Sequence, residues 1–402
     1  MKRKSLLYIT CILLPIQFIM CSCGNYSPAS ISNENDIQEN PLENSNLSGS
    51  LQMVTSAEMV SIAGCTTQDG FYEAIKDQDG VRFYFTDYKN KVKTILCSNP
   101  SCTHDDSSCT GFLPNEVAEY AGIFPFQDKL IINYSAPHYG VPSTLCQINL
   151  DGTDRNILYT FSSTEIARDP VITDGDNLFF VLDDVNPETA EFISYLVEFD
   201  VAECKVSPIF QCTANDFLVS CSADKFAFKS IDSSGNYQLF FVDTNGKKTD
   251  SEISWMGYMP SYSTGSSLYI FDSENSALTT CKYDTLDYKT IKIQDTAQIV
   301  HDIANSMIDY VCDDKLFLVI YHEKNSEEVG IDVNTGQIYP VILHGVNAYG
   351  EKTRPMYIIT EFGDSYYVET GTITADLSKR ALIKKSDFWN GIENFDFINS
   401  LS

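Results

Sequence analysis

The sequence predicts an all-β chain whose main domain, residues 51–402, is a seven-bladed β-propeller, with six or eight blades as the alternatives. Three observations lead there. From residue 65 onward, short aromatic and β-branched runs are separated by Gly, Asp, Asn and Ser, and no long amphipathic helix interrupts them. A turn residue followed by an apolar pair or triplet recurs as DGFYEA (69–74), DKLIIN (128–133), DNLFFV (176–181), DKFAFK (224–229), SSLYIF (266–271), DKLFLV (314–319) and DSYYVE (364–369). After each of these comes an apolar residue or two and then an Asp that opens a turn: Asp87, Asp151, Asp200, Asp243, Asp284, Asp332 and Asp387. Asp suits such a turn because its carboxylate accepts hydrogen bonds from backbone N–H groups just ahead of it. A repeat of about 40–50 residues holding several short strands is the size of one propeller blade. A lone blade leaves both faces bare, whereas a ring of blades buries each face against a neighbour. A β-sandwich gives no reason for a period that runs the length of the chain.

The chain opens with Lys2, Arg3 and Lys4 and an apolar run from Leu6 to Met20, broken by Thr10 and Gln17 and bent at Pro15. A membrane-crossing helix needs about 20 apolar residues, so the run reads as the core of a signal peptide over residues 1–22. Ser22 is the small residue before the cut, and Cys23 stands where a bacterial lipoprotein carries its acylated cysteine. Met20 is too bulky to make Cys21 the better candidate. Acyl chains at Cys23 would hold the protein to a bilayer with no spanning helix. The expected location is therefore extracytoplasmic, at the cell membrane. Residues 23–50 are rich in Asn, Ser and Glu and nearly devoid of large apolar side chains. Such a stretch buries too little surface to offset its ordering entropy and reads as a flexible tether. Residues 52–64 are expected to supply a strand that closes the ring with the last blade.

The interval from Asp87 to Asp151 is longer than any other, and residues 96–112 account for the excess. They begin LCSNPSCTHDDSSC, which places Cys97, Cys102, His104 and Cys109 within fourteen positions. The segment reads as a loop insertion where the first blade hands over to the second. Three thiolates and an imidazole complete a tetrahedral zinc shell with no position left for water, so a zinc ion here would be structural. A disulfide among the three cysteines and a set of free thiols are the other assignments, since extracytoplasmic cysteines often pair. Most of the remaining cysteines lie in or beside apolar strand runs and read as small buried side chains. That scatter suits a reducing or anaerobic habitat and favours the metal.

The lipidation signal, the polar tether, the LCSNPSCTHDDSSC segment after YFTDY and the repeated blade units together resemble a group of uncharacterised lipoproteins from anaerobic gut Firmicutes. Those proteins carry a similar Cys/Pro/Cys/His segment ahead of a propeller of six to eight blades. The resemblance covers essentially the whole chain, with residues 96–109 its most specific part. It implies an extracytoplasmic propeller and no established activity.

The formal charge of −28 disfavours nucleic acid and anionic headgroups as direct partners. No catalytic constellation stands out. His138, His301, His322 and His344 are scattered; no Asp box, Gly-x-Ser-x-Gly elbow, phosphate loop or dinucleotide fingerprint occurs. The expected function is thus a non-catalytic module, tethered to the membrane, that binds a glycan, peptide or protein through loops at one face of the propeller. Tyr139, Trp255, Tyr258, Tyr262 and Trp389 are aromatic candidates for that face. The alternative is a polysaccharide hydrolase or lyase with paired carboxylates in the funnel, and fifty-five acidic residues do not single out which.

Overall fold

The computed structural model describes residues 50–54, 63–186, 188–189, 191–257, 259–294, 306–321, 326–347, 351–372 and 379–400. Cys23, the leader and the tether up to residue 49 lie outside the described residues. The chain forms seven sheets arranged as a seven-bladed propeller. Each blade is a meander of four antiparallel strands, the first innermost. Blade three is typical, with strands Glu165–Thr173, Asn177–Val185, Phe192–Asp200 and Lys205–Cys212.

The apolar pair or triplet of every repeat is the start of a second strand: Gly70–Lys76, Lys129–Ala136, Asn177–Val185, Lys225–Ile231, Ser267–Asp272, Lys315–Tyr321 and Ser365–Thr372. These strands are buried on both faces, which is why they read as continuous apolar runs and not as alternations. In blade three, Leu178, Phe180 and Leu182 face blade two, while Phe179 and Val181 face blade four. Each large side chain buried this way stabilises the interface by about 1.5–3 kcal/mol. An apolar cluster fills every gap around the ring, from blades one and two through to blades seven and one.

The recurring Asp residues open the turn between third and fourth strands. Asp87 accepts the Asn90 N–H at 2.8 Å, and Asp243 accepts those of Asn245 and Lys247, each at 2.9 Å. Asp387 departs from the pattern by lying in a short helix, Lys385–Trp389. Two faces follow from this topology. The turn face carries the first-to-second and third-to-fourth turns. The loop face carries the second-to-third connections and the crossings between blades.

Ring closure differs from the expectation. Gln52–Met53 does not join the last blade; it pairs with Thr173 and Ile172 on the innermost strand of blade three. Leu51 fixes it there, donating its N–H to Ala223 at 3.0 Å and burying its side chain against Ile172 and Leu218. The ring is closed instead by the C-terminus, where Asn399–Ser400 runs parallel to Val92–Lys93 of blade one. The seam between blades seven and one has the smallest apolar cluster, Phe71, Tyr88, Tyr367 and Leu382. Beside it lies a buried ionic group. Glu73 contacts Lys93 at 2.6 Å and Arg380 at 3.5 Å, and Arg380 contacts Glu369 at 2.9 Å. These are close ion pairs whose angles do not all meet hydrogen-bond geometry.

The cysteine-rich insertion also sits differently. Val92–Ile95 and Phe112–Pro114 both pair with the third strand of blade one, Gly80–Asp87. They are two halves of one outermost strand, and the insertion bulges from its middle. It is not a loop passing from blade one to blade two.

Candidate metal centre and ligand-facing surface

Leu96 continues the ladder past Ile95 by donating its N–H to Phe83 at 2.8 Å, and the chain then leaves the sheet at Cys97. A turn at Asn99 brings round Cys102, whose N–H reaches the Asn99 carbonyl at 3.1 Å. A second turn at Asp106 does the same for Cys109, again at 3.1 Å, with Ser108 held on the Asp106 carboxylate at 2.8 Å. Between the turns, His104 adopts a left-handed backbone with φ 58°. His is one of the few residues enriched in that region.

The outcome is a convergence of donors. The ligating atoms of Cys97, Cys102, His104 and Cys109 all lie within 4.8 Å of one another, close enough to hold a metal ion. His104 Nδ1 stands 3.3 Å from Cys109 Sγ, and the His104 N–H donates to Cys102 Sγ at 3.4 Å. Cys109 is buried and the other three are half-buried. Burial pushes the Cys109 thiol up to about 12. Burial also raises Cys97, but hydrogen bonds from Asn99, Thr110 and the neighbouring cysteines outweigh it and hold that thiol below its ordinary value.

Side chains outside the motif pin the loop. Arg82 pairs with Asp77, lies 4.7 Å from the Phe112 ring centroid and donates to the His104 carbonyl at 3.3 Å. From blade two, Arg155 donates to the carbonyls of Thr110 and Phe112, both at 2.8 Å. Gly152, with φ +81°, lets the blade-two turn press against the backbone of Leu96; an added Cβ would come within 2.5 Å. Nothing in the motif announces Arg82 or Arg155, which are separated from it in sequence. The cluster lies at the outer rim between blades one and two, away from the axis.

The remaining histidines do not assemble a site. Exposed His138 pairs with half-buried Glu119 at 2.8 Å, and His344 contacts the Ile342 carbonyl at 2.9 Å. His301 and His322 lie outside the described residues. Among the aromatic candidates only Tyr139 is presented, at 55% exposure on the loop face. Trp255 is buried and stacks on Tyr237, with centroids 5.4 Å apart. Trp389 packs against Phe317 and Tyr339 and donates to the Tyr366 hydroxyl at 3.1 Å. Tyr262 is partly buried between blades, and Tyr258 is outside the described residues. The exposed apolar side chains that do gather on the loop face are Tyr120, Tyr139, Ile166, Phe192, Ile193 and Phe217 of blades two to four. Tyr120 and Phe192 open their strands, Ile166, Ile193 and Phe217 are second residues of theirs, and Tyr139 ends the short helix Pro137–Tyr139; at a strand start an apolar residue reads as the edge of a core run. The described N-terminal segment, by contrast, begins at the turn face, against Thr173 and Ala223.

No family model and no curated protein matches the chain. Among solved structures it is similar to a puromycin-hydrolyzing peptidase of Mycobacterium tuberculosis, at 8% identity and a TM-score of 0.51 over 87% of this chain and 56% of that one. A puromycin hydrolase mutant complexed with PGG matches at 8% and 0.50, over 83% of this chain and 53% of that one. The acylaminoacyl peptidase of Pyrococcus horikoshii matches at 8% and 0.50, over 82% and 52%. The chain thus spans about half the length of these three proteins. Identities this low bear on the fold alone.

Proposed function

We propose that the chain is a lipoprotein anchored outside the cytoplasm through Cys23, whose propeller binds a ligand at its loop face without catalysis. A zinc ion held by Cys97, Cys102, His104 and Cys109 fastens the split strand of blade one. The observation that carries the binding role is the opposition of two surfaces. The first described segment begins at the turn face, whereas Tyr120, Tyr139, Ile166, Phe192, Ile193 and Phe217 of three successive blades are exposed on the loop face. Exposed apolar patches of this kind mark interaction surfaces.

Zinc fits the donor set on chemical grounds. Zn–S bonds of about 2.3 Å in a tetrahedron separate neighbouring sulfurs by roughly 3.8 Å, so the cluster needs only a slight contraction. The backbone N–H on Cys102 Sγ supports a thiolate from outside the shell. With four protein ligands no position is open, and the ion's contribution is to stability.

Photo-crosslinking in intact cells tests the binding role. A photoreactive residue replaces Ile193 on the loop face or Leu286 on the turn face. The expected outcome is adducts from position 193 and few from position 286. Equal yields, or none from 193, would overturn the reading. Turnover of a polysaccharide panel by the purified chain would replace it with the hydrolase or lyase alternative.

A further inference from the structure

The loop face contains a cavity between blades three and four. Its volume is about 140 Å³, and Arg168, Asp169, Val181, Phe217, Leu218 and Lys229 are among its walls. A cavity of roughly 150 Å³ accommodates a benzene molecule, so there is room here for one six-membered ring. The space has a structural origin. Between Arg168 and Ile172 the innermost strand of blade three advances four residues while its partner advances two, from Val181 to Phe179. In blades four, six and seven the same strand carries only one extra residue. Bulges bend a strand and redirect its side chains.

The walls combine three kinds of chemistry. Phe217 is 37% exposed and offers an aromatic surface. Arg168 and Lys229 bring donors, and Asp169 brings an acceptor. Arg168 is held by Asp183 at 2.9 Å, and Asp183 is itself fixed by the Ser194 hydroxyl at 2.6 Å. Arg168 Nε, however, is a buried donor with no hydrogen-bond acceptor among the described residues.

Resting on the loop-face reading above, we propose that this cavity binds a neutral pyranose unit of a glycan. Its hydroxyls accept from Arg168 and Lys229 and donate to Asp169, while the apolar face of the ring lies against Phe217. A hydroxylated ring uses donors and acceptors together, and this wall supplies both. An anionic sugar meets Asp169 and a chain of formal charge −28. A cationic one meets Arg168 and Lys229. A purely apolar ligand makes no use of the polar walls.

The test is a calorimetric titration of the full chain in a detergent free of sugar headgroups. Glucose, galactose, mannose and N-acetylglucosamine are the probes, with glucuronate and glucosamine as charged comparators. At least one neutral sugar is expected to bind with a Kd of about 1 mM. Phe217→Ala, at an exposed position, should weaken it about tenfold without moving the melting midpoint, and Lys229→Met should weaken it by about as much. No neutral sugar binding at 100 times that concentration, tighter binding of a charged comparator, or binding indifferent to Phe217→Ala would each overturn the proposal. Adducts from position 193 without sugar binding would leave the loop-face reading intact while removing the sugar assignment. Sugar binding without adducts would do the reverse for a macromolecular partner.

Discussion

At the scale of single residues, the rim cluster makes a direct prediction. Protein purified without oxygen should carry one zinc per chain, and His104→Ala or Cys102→Ser should lose it together with several degrees of melting midpoint. Absence of metal combined with missing free thiols would establish a disulfide instead. A second prediction concerns Asp313 on the turn face. Burial raises its pKa, but Lys385, at 2.8 Å, and the Tyr366 hydroxyl, at 2.7 Å, outweigh that and hold it below the usual carboxylate range. A carboxylate depressed in the folded state contributes stability above its unfolded pKa of about 3.9 and loses it as pH falls through the folded value. Asp313→Asn should therefore cost about 1–2 kcal/mol at neutral pH, with the deficit shrinking as pH falls below the unfolded value and through the folded one. Unfolding midpoints across that range check the sign. The Cys/His cluster was legible in sequence because its four members fall within one short segment. Asp313 was not, since Lys385 and Tyr366 reach it from a different blade.

At the scale of elements, the seven second strands and the aspartate turns were legible because burial on both faces and turn chemistry are each written locally. What escaped were contacts made by very short strands. Gln52–Met53 and Asn399–Ser400 are two residues long, and nothing in two residues distinguishes a strand from a loop. Phe112–Pro114 is scarcely longer, which is why the insertion read as a loop and not as an interrupted strand. The ionic seam was equally hidden, because Glu73, Lys93 and Arg380 come from opposite ends of the chain. It yields a prediction at this scale. Glu73→Ala strands Lys93 in a buried site, leaves Arg380 with Glu369 alone, and should cost about 3–5 kcal/mol. Replacing both members of the closer pair, with Glu73→Leu and Lys93→Met, should recover most of that loss, because Arg380 keeps Glu369. Denaturant midpoints of the single and double variants decide the matter; a double variant no better than the single would show that the charges themselves hold the seam.

For the whole molecule, the proposed anchor at Cys23 bears on orientation. The first described segment is seated at the turn face, beside the innermost strands of blades three and four. An anchor upstream of it would bring the turn face nearer the bilayer and turn the loop face outward. Cys23→Ala should move the protein from the membrane fraction to the soluble one with its melting midpoint unchanged; retention in the membrane would point to an uncleaved leader. The loop-face cavity was beyond the sequence for a plain reason: its walls are set by a bulge in one strand and by the strand of a neighbouring blade. The C-terminal seam carries one more consequence. A polypeptide emerges from its ribosome N-terminus first, yet blade one is sealed by Asn399–Ser400, made long after Val92–Lys93. Phe71 and Tyr88 therefore wait for Tyr367 and Leu382 until blade seven has been made, and in that interval the nascent chain is exposed to aggregation and to chaperone capture.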